Sequence, residues 1–250
     1  MTVKIGSLFA GIGGFELGIE RAIPNSKTIW QVEQNKFCQS ILKKHWPEAE
    51  IFDDIKQVNS NNLKPVDILL GGFPCQDISI AGKQRGIYEG KKSSLYWEMF
   101  RIIREIRPRV IVMENVSALI NRGLSDVLGS LAQVGYNAEW TCITASMFGA
   151  PHKRERVFIV AYSNSKHIKK QSFNPVRMEK TNLLKCECCK NERLHIGNYW
   201  EETPIESGLC SLDDGISERV SKLKSLGNAI VPQCSEWIGK QILYSGILDI

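Results

Sequence analysis

The chain has 250 residues and a formal net charge of +5 at pH 7, with 43% hydrophobic and 24% charged residues. This balance is typical of a water-soluble globular protein, and no apolar run approaches the roughly 18 residues that span a bilayer. The N-terminus lacks a signal-peptide layout, so we expect a cytoplasmic protein whose eight cysteines are mostly reduced. The small positive charge permits a polyanionic partner without requiring one.

Predicted strands and helices alternate from the N-terminus onward. Apolar patterning predicts strands at residues 3–9, 28–32, 50–52, 66–70, 110–114, 139–144 and 157–161. Helices are predicted at 14–22, 35–45 and 94–106. This alternation predicts an α/β fold, with a doubly wound, largely parallel sheet covered by helices.

The composition changes at about Tyr162. Residues 163–198 are rich in Lys, Asn and Ser, and no apolar periodicity continues the sheet there. We therefore predict a main domain at 1–162, a small inserted region at 163–222, and a C-terminal segment at 223–250 that returns to the main domain. A closing helix begins near Pro232, and its core-facing residues are expected to be Trp237, Ile238, Ile242 and Leu243.

A glycine-rich turn follows the first predicted strand, at Phe9-Ala10-Gly11-Ile12-Gly13-Gly14-Phe15. Glycines here let backbone N–H groups and a helix N-terminus approach a ligand closely. Glu33 ends the second strand and could accept hydrogen bonds from ribose hydroxyls, while Asp54 could accept one from an adenine amino group. These features favour an adenosine ligand. They leave a NAD-dependent dehydrogenase open, although the third glycine of the dinucleotide fingerprint is missing.

The fourth predicted strand ends in Gly71-Gly72-Phe73-Pro74-Cys75-Gln76, which holds a thiol at the sheet edge where ligands of α/β proteins bind. Cys75 is therefore a candidate nucleophile, the alternative being a small buried cysteine in a turn. Glu114 ends the next strand, and Arg154 and Arg156 are two residues apart, so that both side chains could face one site. In isolation, these residues could equally be a strand-end carboxylate and a solvated charge cluster.

Together, these motifs resemble one family, the DNA cytosine-5 methyltransferases. The matches run in that family's order: residues 9–15, Glu33, Asp54-Ile55, Pro74-Cys75-Gln76 with Ser79, Glu114-Asn115-Val116, Arg154-x-Arg156 and Gly227-Asn228-Ala229. The resemblance implies a Rossmann-like methyltransferase fold, S-adenosylmethionine as cofactor and cytosine in double-stranded DNA as substrate. It also implies a monomer in the cytoplasm, encoded by a bacterium or a phage. The protein could then act with a partner restriction endonuclease or protect phage DNA against one.

The resemblance also assigns roles to individual residues. Cys75 would attack C6 of a flipped-out cytosine, Glu114 would bind N3 and the exocyclic amine, and Arg156, with Arg154 beside it, would hold O2. The implied cofactor-binding residues are Phe9, Ala10, Gly11, Ile12, Gly13, Gly14, Glu33, Gln34, Asp54, Ile55, Pro74, Leu95, Asn228 and Ala229. The implied DNA contacts are Gln76, Ser79, Lys83 and Arg85, on a segment that could otherwise be a plain surface loop.

The sequence departs from the family pattern at two places near the cofactor. Ser7 stands where the family often has aspartate, and Gln34 stands where many members place an aromatic residue, which leaves Phe9 and Ile55 as stacking surfaces. The inserted region is expected to read the DNA sequence. Its cysteine cluster suggests either a structural zinc site or reduced thiols in a small core, and the candidate ligands are Cys186, Cys189, His195 and Cys210.

Two alternatives remain on the same fold: a tRNA cytosine-5 methyltransferase and a catalytically silent DNA-binding homologue. The joint presence of Cys75, Glu114 and Arg156 argues against the silent form. The dehydrogenase hypothesis gives no role to Cys75. The sequence identifies neither the DNA recognition site nor the base that removes the C5 proton.

Overall fold

A computed structural model describes residues 2–74, 95–163 and 226–248. Its centre is a seven-stranded sheet in the order β3-β2-β1-β4-β5-β7-β6. The strands are β1 (Val3–Leu8), β2 (Ser26–Val32), β3 (Glu50–Phe52), β4 (Ile68–Gly71), β5 (Val110–Val116), β6 (Tyr136–Thr144) and β7 (Glu155–Ser163). The helices are α1 (Gly14–Ala22), α2 (Lys36–His45), α3 (Leu95–Ile106), α4 (Leu119–Arg122), α5 (Leu124–Gln133) and α6 (Pro232–Ser245).

The sheet is parallel from β3 to β5, and β7 runs antiparallel to both of its neighbours, β5 and β6. This arrangement confirms the predicted α/β fold with a mostly parallel sheet. Strand β4 is buried at all four positions, as expected for a central parallel strand covered on both faces. Because β1 to β5 share a direction, their carboxyl ends meet at one edge of the sheet, where the predicted site residues lie.

The observed bounds differ from the predicted ones by a few residues, mainly in the C-terminal half of the sheet. Strand β5 continues to Val116, and β6 begins at Tyr136, because their ladders with β7 extend that far. Helices α4 and α5 occupy a stretch for which the sequence provided no bounds. On α6, the predicted core residues Trp237 and Leu243 are only partly buried, and the buried apolar side chains are those of Cys234, Ile238 and Ile242.

The hydrophobic core has two parts, one on each face of the sheet. On one face, α3 and α5 pack against alternate strand residues such as Leu69 and Ile111. On the other face, α1 and α6 pack against the intervening residues, such as Ile68 and Val110. The core thus follows the two-residue alternation of the strands.

No helix in the described ranges is long and apolar enough to cross a bilayer.

Helix α6 lies directly against α1, although the two are far apart in sequence. A Cβ atom at Gly18 would be 2.0 Å from Ser235 Oγ and 2.3 Å from the Pro232 carbonyl oxygen, and one at Gly239 would be 2.5 Å from Ala22 Cβ. The Ser235 hydroxyl also donates to the Gly14 carbonyl oxygen at 3.2 Å. The absence of side chains at these glycines therefore sets the distance between the two helices.

This packing predicts opposite effects for two glycine-to-alanine changes in helices. Gly18→Ala should lower the free energy of unfolding by about 2–4 kcal/mol, because the new methyl group overlaps α6. Gly129→Ala, on α5, meets nothing within 4 Å and should raise that free energy by about 0.5–1 kcal/mol through helix propensity. Urea unfolding without ligand measures both. Equal effects at the two positions would contradict the described packing.

Candidate active site

The turn between β1 and α1 is built by backbone conformations that favour glycine. Gly11 has φ +57° and Gly13 has φ +87°, and Phe9 also adopts a positive φ of 58°. The backbone N–H of Ala10 donates to the Val32 carbonyl oxygen at 3.2 Å, which fastens the turn to the end of β2. The turn therefore has a fixed shape before any ligand binds, and α1 begins immediately after it.

Glu33 joins this turn to the ends of two strands. Its Oε2 accepts a hydrogen bond from the Gly11 backbone N–H at 2.8 Å, and its Oε1 accepts one from the Asn35 N–H at 2.7 Å. Its own N–H donates to the Phe52 carbonyl oxygen at 3.0 Å, at the end of β3. Each carboxylate oxygen retains a second lone pair for a ligand hydroxyl. Gln34, beside it, is exposed.

A pocket opens at this edge of the sheet. Its walls come from the glycine-rich turn, the ends of β4 and β5, and the segment that precedes α6. The lining residues are Ser7, Phe9, Ala10, Gly11, Ile12, Gly14, Phe15, Gly72, Glu114, Asn228, Ala229 and Ile230. The structure thus gathers segments that are more than 200 residues apart in sequence into one site.

Glu114, which lines the pocket, forms an ion pair with Arg156. Strand register places Glu114 opposite Phe158 and Val116 opposite Arg156, so the two charged side chains are diagonal neighbours on the same face. Arg156 Nε lies 3.0 Å from Glu114 Oε1, and the side chains are 24% and 12% exposed. Burial raises the pKa of Glu114 to about 7, even though the positive charges of Arg156 and Arg154 act to lower it.

The end of β4 is held against this carboxylate. A Cβ atom at Gly72 would be 3.3 Å from Glu114 Oε2. The side-chain amide of Asn115 donates to the Phe73 carbonyl oxygen at 3.1 Å, and the Val116 N–H donates back to Asn115 Oδ1 at 2.8 Å. The backbone just before Pro74 is therefore fixed by β5. Residues 75–94 lie outside the described part of the chain, and with them the predicted Cys75, Gln76, Ser79, Lys83 and Arg85.

Arg154 connects the start of β7 to the C-terminal segment. Its guanidinium group donates to the Gly227 and Ala229 carbonyl oxygens, both at 2.7 Å. Its backbone has a positive φ of 32°, a conformation that costs energy for a residue with a side chain. Arg154 therefore acts in two ways. Its positive charge acts to lower the pKa of Glu114, and its two hydrogen bonds hold the C-terminal segment that lines the pocket.

Seven predicted cofactor residues are not among the residues that line the pocket: Gly13, Glu33, Gln34, Asp54, Ile55, Pro74 and Leu95. Asp54 caps a short 3-10 helix by accepting from the Lys56 N–H at 2.9 Å. Ile55 is 3% exposed within the core, which leaves little surface for stacking. Leu95 begins α3 and packs against the core, and Pro74 is exposed.

Sequence reasoning missed four lining residues: Ser7, Phe15, Gly72 and Ile230. Three of them adjoin or belong to motifs that were recognised, so the signal was proximity to those motifs. Ser7 was noted only as a departure from the family pattern. The candidate zinc ligands Cys186, Cys189, His195 and Cys210, and nearly all of the predicted inserted region, lie outside the described residues.

The role of Arg154 can be tested by hydrogen exchange. Arg154→Met should increase the exchange rates of the backbone amides at 227–230 by at least tenfold, because two charge-assisted hydrogen bonds to that segment are lost. Arg107→Met is the matched control, since Arg107 donates to a carbonyl oxygen, that of Val134, far from the pocket. Unchanged exchange at 227–230 in the Arg154 variant would contradict the contact.

The buried Glu114 should make stability depend on pH. Its pKa is raised from 4.5 to about 7 in the folded protein, so the folded state keeps a proton that the unfolded chain releases. The stability of the wild type relative to Glu114→Gln should therefore be highest below pH 4.5 and fall by about 3 kcal/mol as the pH rises to 7 and beyond. Urea unfolding at several pH values gives this difference, and a constant difference across the range would disprove the shift.

Comparison with known proteins shows the family of the chain. The profile of the family described as C-5 cytosine-specific DNA methylase matches residues 3–207. The Type II methyltransferase M.Bsp6I of Bacillus sp. (strain RFL6) is 31% identical over 224 residues, which covers 88% of this chain and 69% of that protein. The Type II methyltransferase M.HhaI of Haemophilus parahaemolyticus is 34% identical over 170 residues, 66% of this chain and 51% of that protein.

Solved structures share the fold. A DNMT2 mutant of Spodoptera frugiperda aligns with a TM-score of 0.57 and 22% identity over 68% of this chain and 53% of that one. A putative DNA modification methyltransferase encoded within an E. coli prophage aligns with a TM-score of 0.52 and 24% identity, over 66% and 47% of the respective chains. The chain therefore spans about half the length of these two structures and of M.HhaI. The family match covers most of the sequence, and it confirms that the chain belongs to the C-5 cytosine-specific DNA methylases.

Proposed function

We propose that this chain transfers a methyl group from S-adenosylmethionine to C5 of cytosine within a specific sequence of double-stranded DNA. The observation that carries the proposal is the partly buried Glu114–Arg156 pair, which lies beside the chain segment that leads from β4 to Pro74-Cys75. Family membership supports the reaction class, and the lining of the pocket supports it as the proposed location of the cofactor.

The residues of the pocket fit the proposed cofactor. Phe9, Ile12 and Phe15 offer apolar surface, and the Glu33 carboxylate, bonded to Gly11, retains acceptor capacity for ribose hydroxyls. The N-terminal end of α1 offers backbone N–H groups to a carboxylate. When bound, the cofactor supplies an electrophilic methyl group on a positively charged sulfur. Asn228 and Ala229 would close the opposite side of the pocket.

Cys75 is the proposed nucleophile. C5 of cytosine is unreactive while the ring is aromatic, and addition of a thiolate to C6 makes C5 electron-rich, so that it can accept a methyl group. The sulfur–C6 bond then breaks as C5 loses its proton and the ring becomes aromatic again. Because Asn115 fixes the Phe73 carbonyl oxygen, the thiol follows a backbone segment that is held in place by β5.

Glu114 is suited to protonate the ring during this addition. Electron density moves toward N3 as the thiolate bonds to C6, and a carboxylic acid beside N3 can donate its proton there. A pKa of about 7 leaves a large fraction of Glu114 protonated at neutral pH, whereas an ordinary glutamic acid would be ionised. Its second oxygen can accept from the exocyclic amine, which distinguishes cytosine from thymine.

Arg156 is suited to two tasks. Its ion pair orients the Glu114 carboxyl, and its remaining N–H groups can donate to O2 of the base, where negative charge develops. Arg154 holds the adjoining segment.

Such an enclosed site cannot reach a stacked base, so the target cytosine must be flipped out of the duplex. Gln76, Ser79, Lys83 and Arg85 are proposed to contact the DNA.

Two further proposals concern the context of the reaction. The protein acts as a monomer in the cytoplasm, and the homology to Type II methyltransferases suggests a modification enzyme paired with a restriction endonuclease. A tRNA substrate is the alternative, since the DNMT2 fold is similar. A test of function must therefore offer both DNA and RNA.

The central test is transfer of a radiolabelled methyl group to unmethylated genomic DNA and, separately, to tRNA. The wild type should label DNA as 5-methylcytosine, and Cys75→Ala should abolish labelling, since no thiolate remains. Glu114→Gln should lower kcat by about 10²–10⁴-fold through loss of the proton donor. Glu48→Gln is the matched control, on an exposed glutamate far from the pocket, and should behave as the wild type. Labelling of tRNA alone would transfer the assignment to RNA.

A further inference from the structure

An acid and an amide are buried together behind the wall of the pocket. Glu16, in the first turn of α1, and Gln31, on β2, are both fully buried. The side-chain nitrogen of Gln31 donates to Glu16 Oε1 at 3.2 Å. The other two oxygens, Glu16 Oε2 and Gln31 Oε1, have no hydrogen-bond partner among the described residues. The proposed reaction gives this carboxyl group no task.

A single proton on Glu16 would give both unpartnered oxygens a hydrogen bond. While Glu16 is ionised, Glu16 Oε2 and Gln31 Oε1 can only accept hydrogen bonds, so they cannot bond to each other. Leaving buried polar atoms without a hydrogen bond costs free energy. If Oε2 carries a proton, the acid donates to the amide oxygen while it accepts from the amide nitrogen. The two side chains then form a cyclic pair in which every polar atom has a partner.

The surroundings of Glu16 favour this neutral form. Burial raises the pKa of Glu16 to about 7, and the negative charge of Glu20 acts in the same direction. The Glu16 backbone N–H, the Ser7 hydroxyl and the Gln31 amide act in the opposite direction, but they do not outweigh burial. Glu20 itself accepts hydrogen bonds from the Thr28 N–H at 2.8 Å and from the Trp46 indole at 2.9 Å.

The pair is connected to the pocket on three sides. Ser7, whose hydroxyl acts to lower the pKa of Glu16, also lines the pocket from β1. Phe15 precedes Glu16 on α1 and lines the pocket as well. Gln31 is two residues before Glu33, which fastens the glycine-rich turn. Ionisation of Glu16 would place two oxygens that can only accept hydrogen bonds next to each other where β1, β2 and α1 meet. It would therefore disturb the pocket residues that β1 and α1 contribute, Ser7 and Phe15.

We propose that Glu16 is a positioning residue of the cofactor pocket, which binds its adenosyl ligand only while the Glu16–Gln31 pair carries its proton. The ligand does not touch Glu16, which acts through Ser7 and the first turn of α1. The inference rests on the proposed function, because it takes an adenosyl cofactor as the ligand. It requires that ligand binding above neutral pH be accompanied by uptake of one proton.

Calorimetric titration with S-adenosylhomocysteine at pH 6.5, 7.5 and 8.5 tests this, in two buffers of different ionisation enthalpy. All proteins carry Glu114→Gln, so that the second carboxyl with a raised pKa does not contribute. The Kd of this background should rise by about tenfold between pH 7.5 and 8.5, with nearly one proton taken up. Adding Glu16→Gln should remove the uptake and flatten the pH dependence, because an amide–amide pair satisfies the same atoms without titrating.

Glu16→Leu distinguishes the effect of the hydrogen bonds to Gln31 from that of side-chain volume, since leucine fills similar space but cannot form a hydrogen bond with Gln31. It should weaken binding by at least tenfold at every pH. Equal pH slopes with and without Glu16→Gln, or a Kd that falls as the pH rises, would overturn the proposal. Failure of every variant to bind the ligand would instead refute the proposed cofactor. In that case, a pH-dependent difference in unfolding midpoint between the proteins with and without Glu16→Gln would still reveal the acid–amide pair, but not its role in binding.

Discussion

The contact between α1 and α6 is the constraint on which the site depends. Gly18 and Gly239 let the two helices approach so closely that a Cβ atom at either position would overlap the other helix. The same approach brings the Ile230 carbonyl oxygen to Gly14, where a Cβ atom would be only 2.3 Å away. The C-terminal segment can therefore form a wall of the pocket only because the first helix presents a surface without side chains. Arg154 then secures that wall from the side of the sheet.

Two buried carboxyl groups flank the pocket, and their environments differ in a way that suits different tasks. Glu114 is paired with a guanidinium group that has N–H donors to spare, and it lines the pocket, where it can exchange a proton with a ligand. Glu16 faces a neutral amide and does not line the pocket. Burial raises both pKa values to about 7. The carboxyl with cationic neighbours suits the proposed proton transfer, and the one with an amide neighbour suits the proposed positioning role.

The sequence was sufficient for the fold class and for the motifs because both depend on local patterns. Strand β4 is a short apolar run, the glycine-rich turn follows β1, and Glu114 lies near the carboxyl end of β5. Their meeting at one sheet edge could therefore be predicted. The sequence could not reveal contacts fixed by tertiary packing. One example is the pair of bonds from Arg154 to the Gly227 and Ala229 carbonyl oxygens, which joins two motifs that are far apart in sequence. Another is the buried Glu16–Gln31 pair, since nothing in the local sequence marks either residue as buried.

The position of α6 also has a consequence for how the protein is made. The hydrogen bond from Ser235 to Gly14 spans 221 residues. Helix α1 can therefore pack against α6 only after the ribosome has synthesised all of the intervening chain. Contacts of such large sequence separation form slowly, because a long loop must close before they are gained. During synthesis, the glycine face of α1 emerges first and stays uncovered. The nascent chain therefore cannot complete the pocket until the segment that carries α6 has left the ribosome.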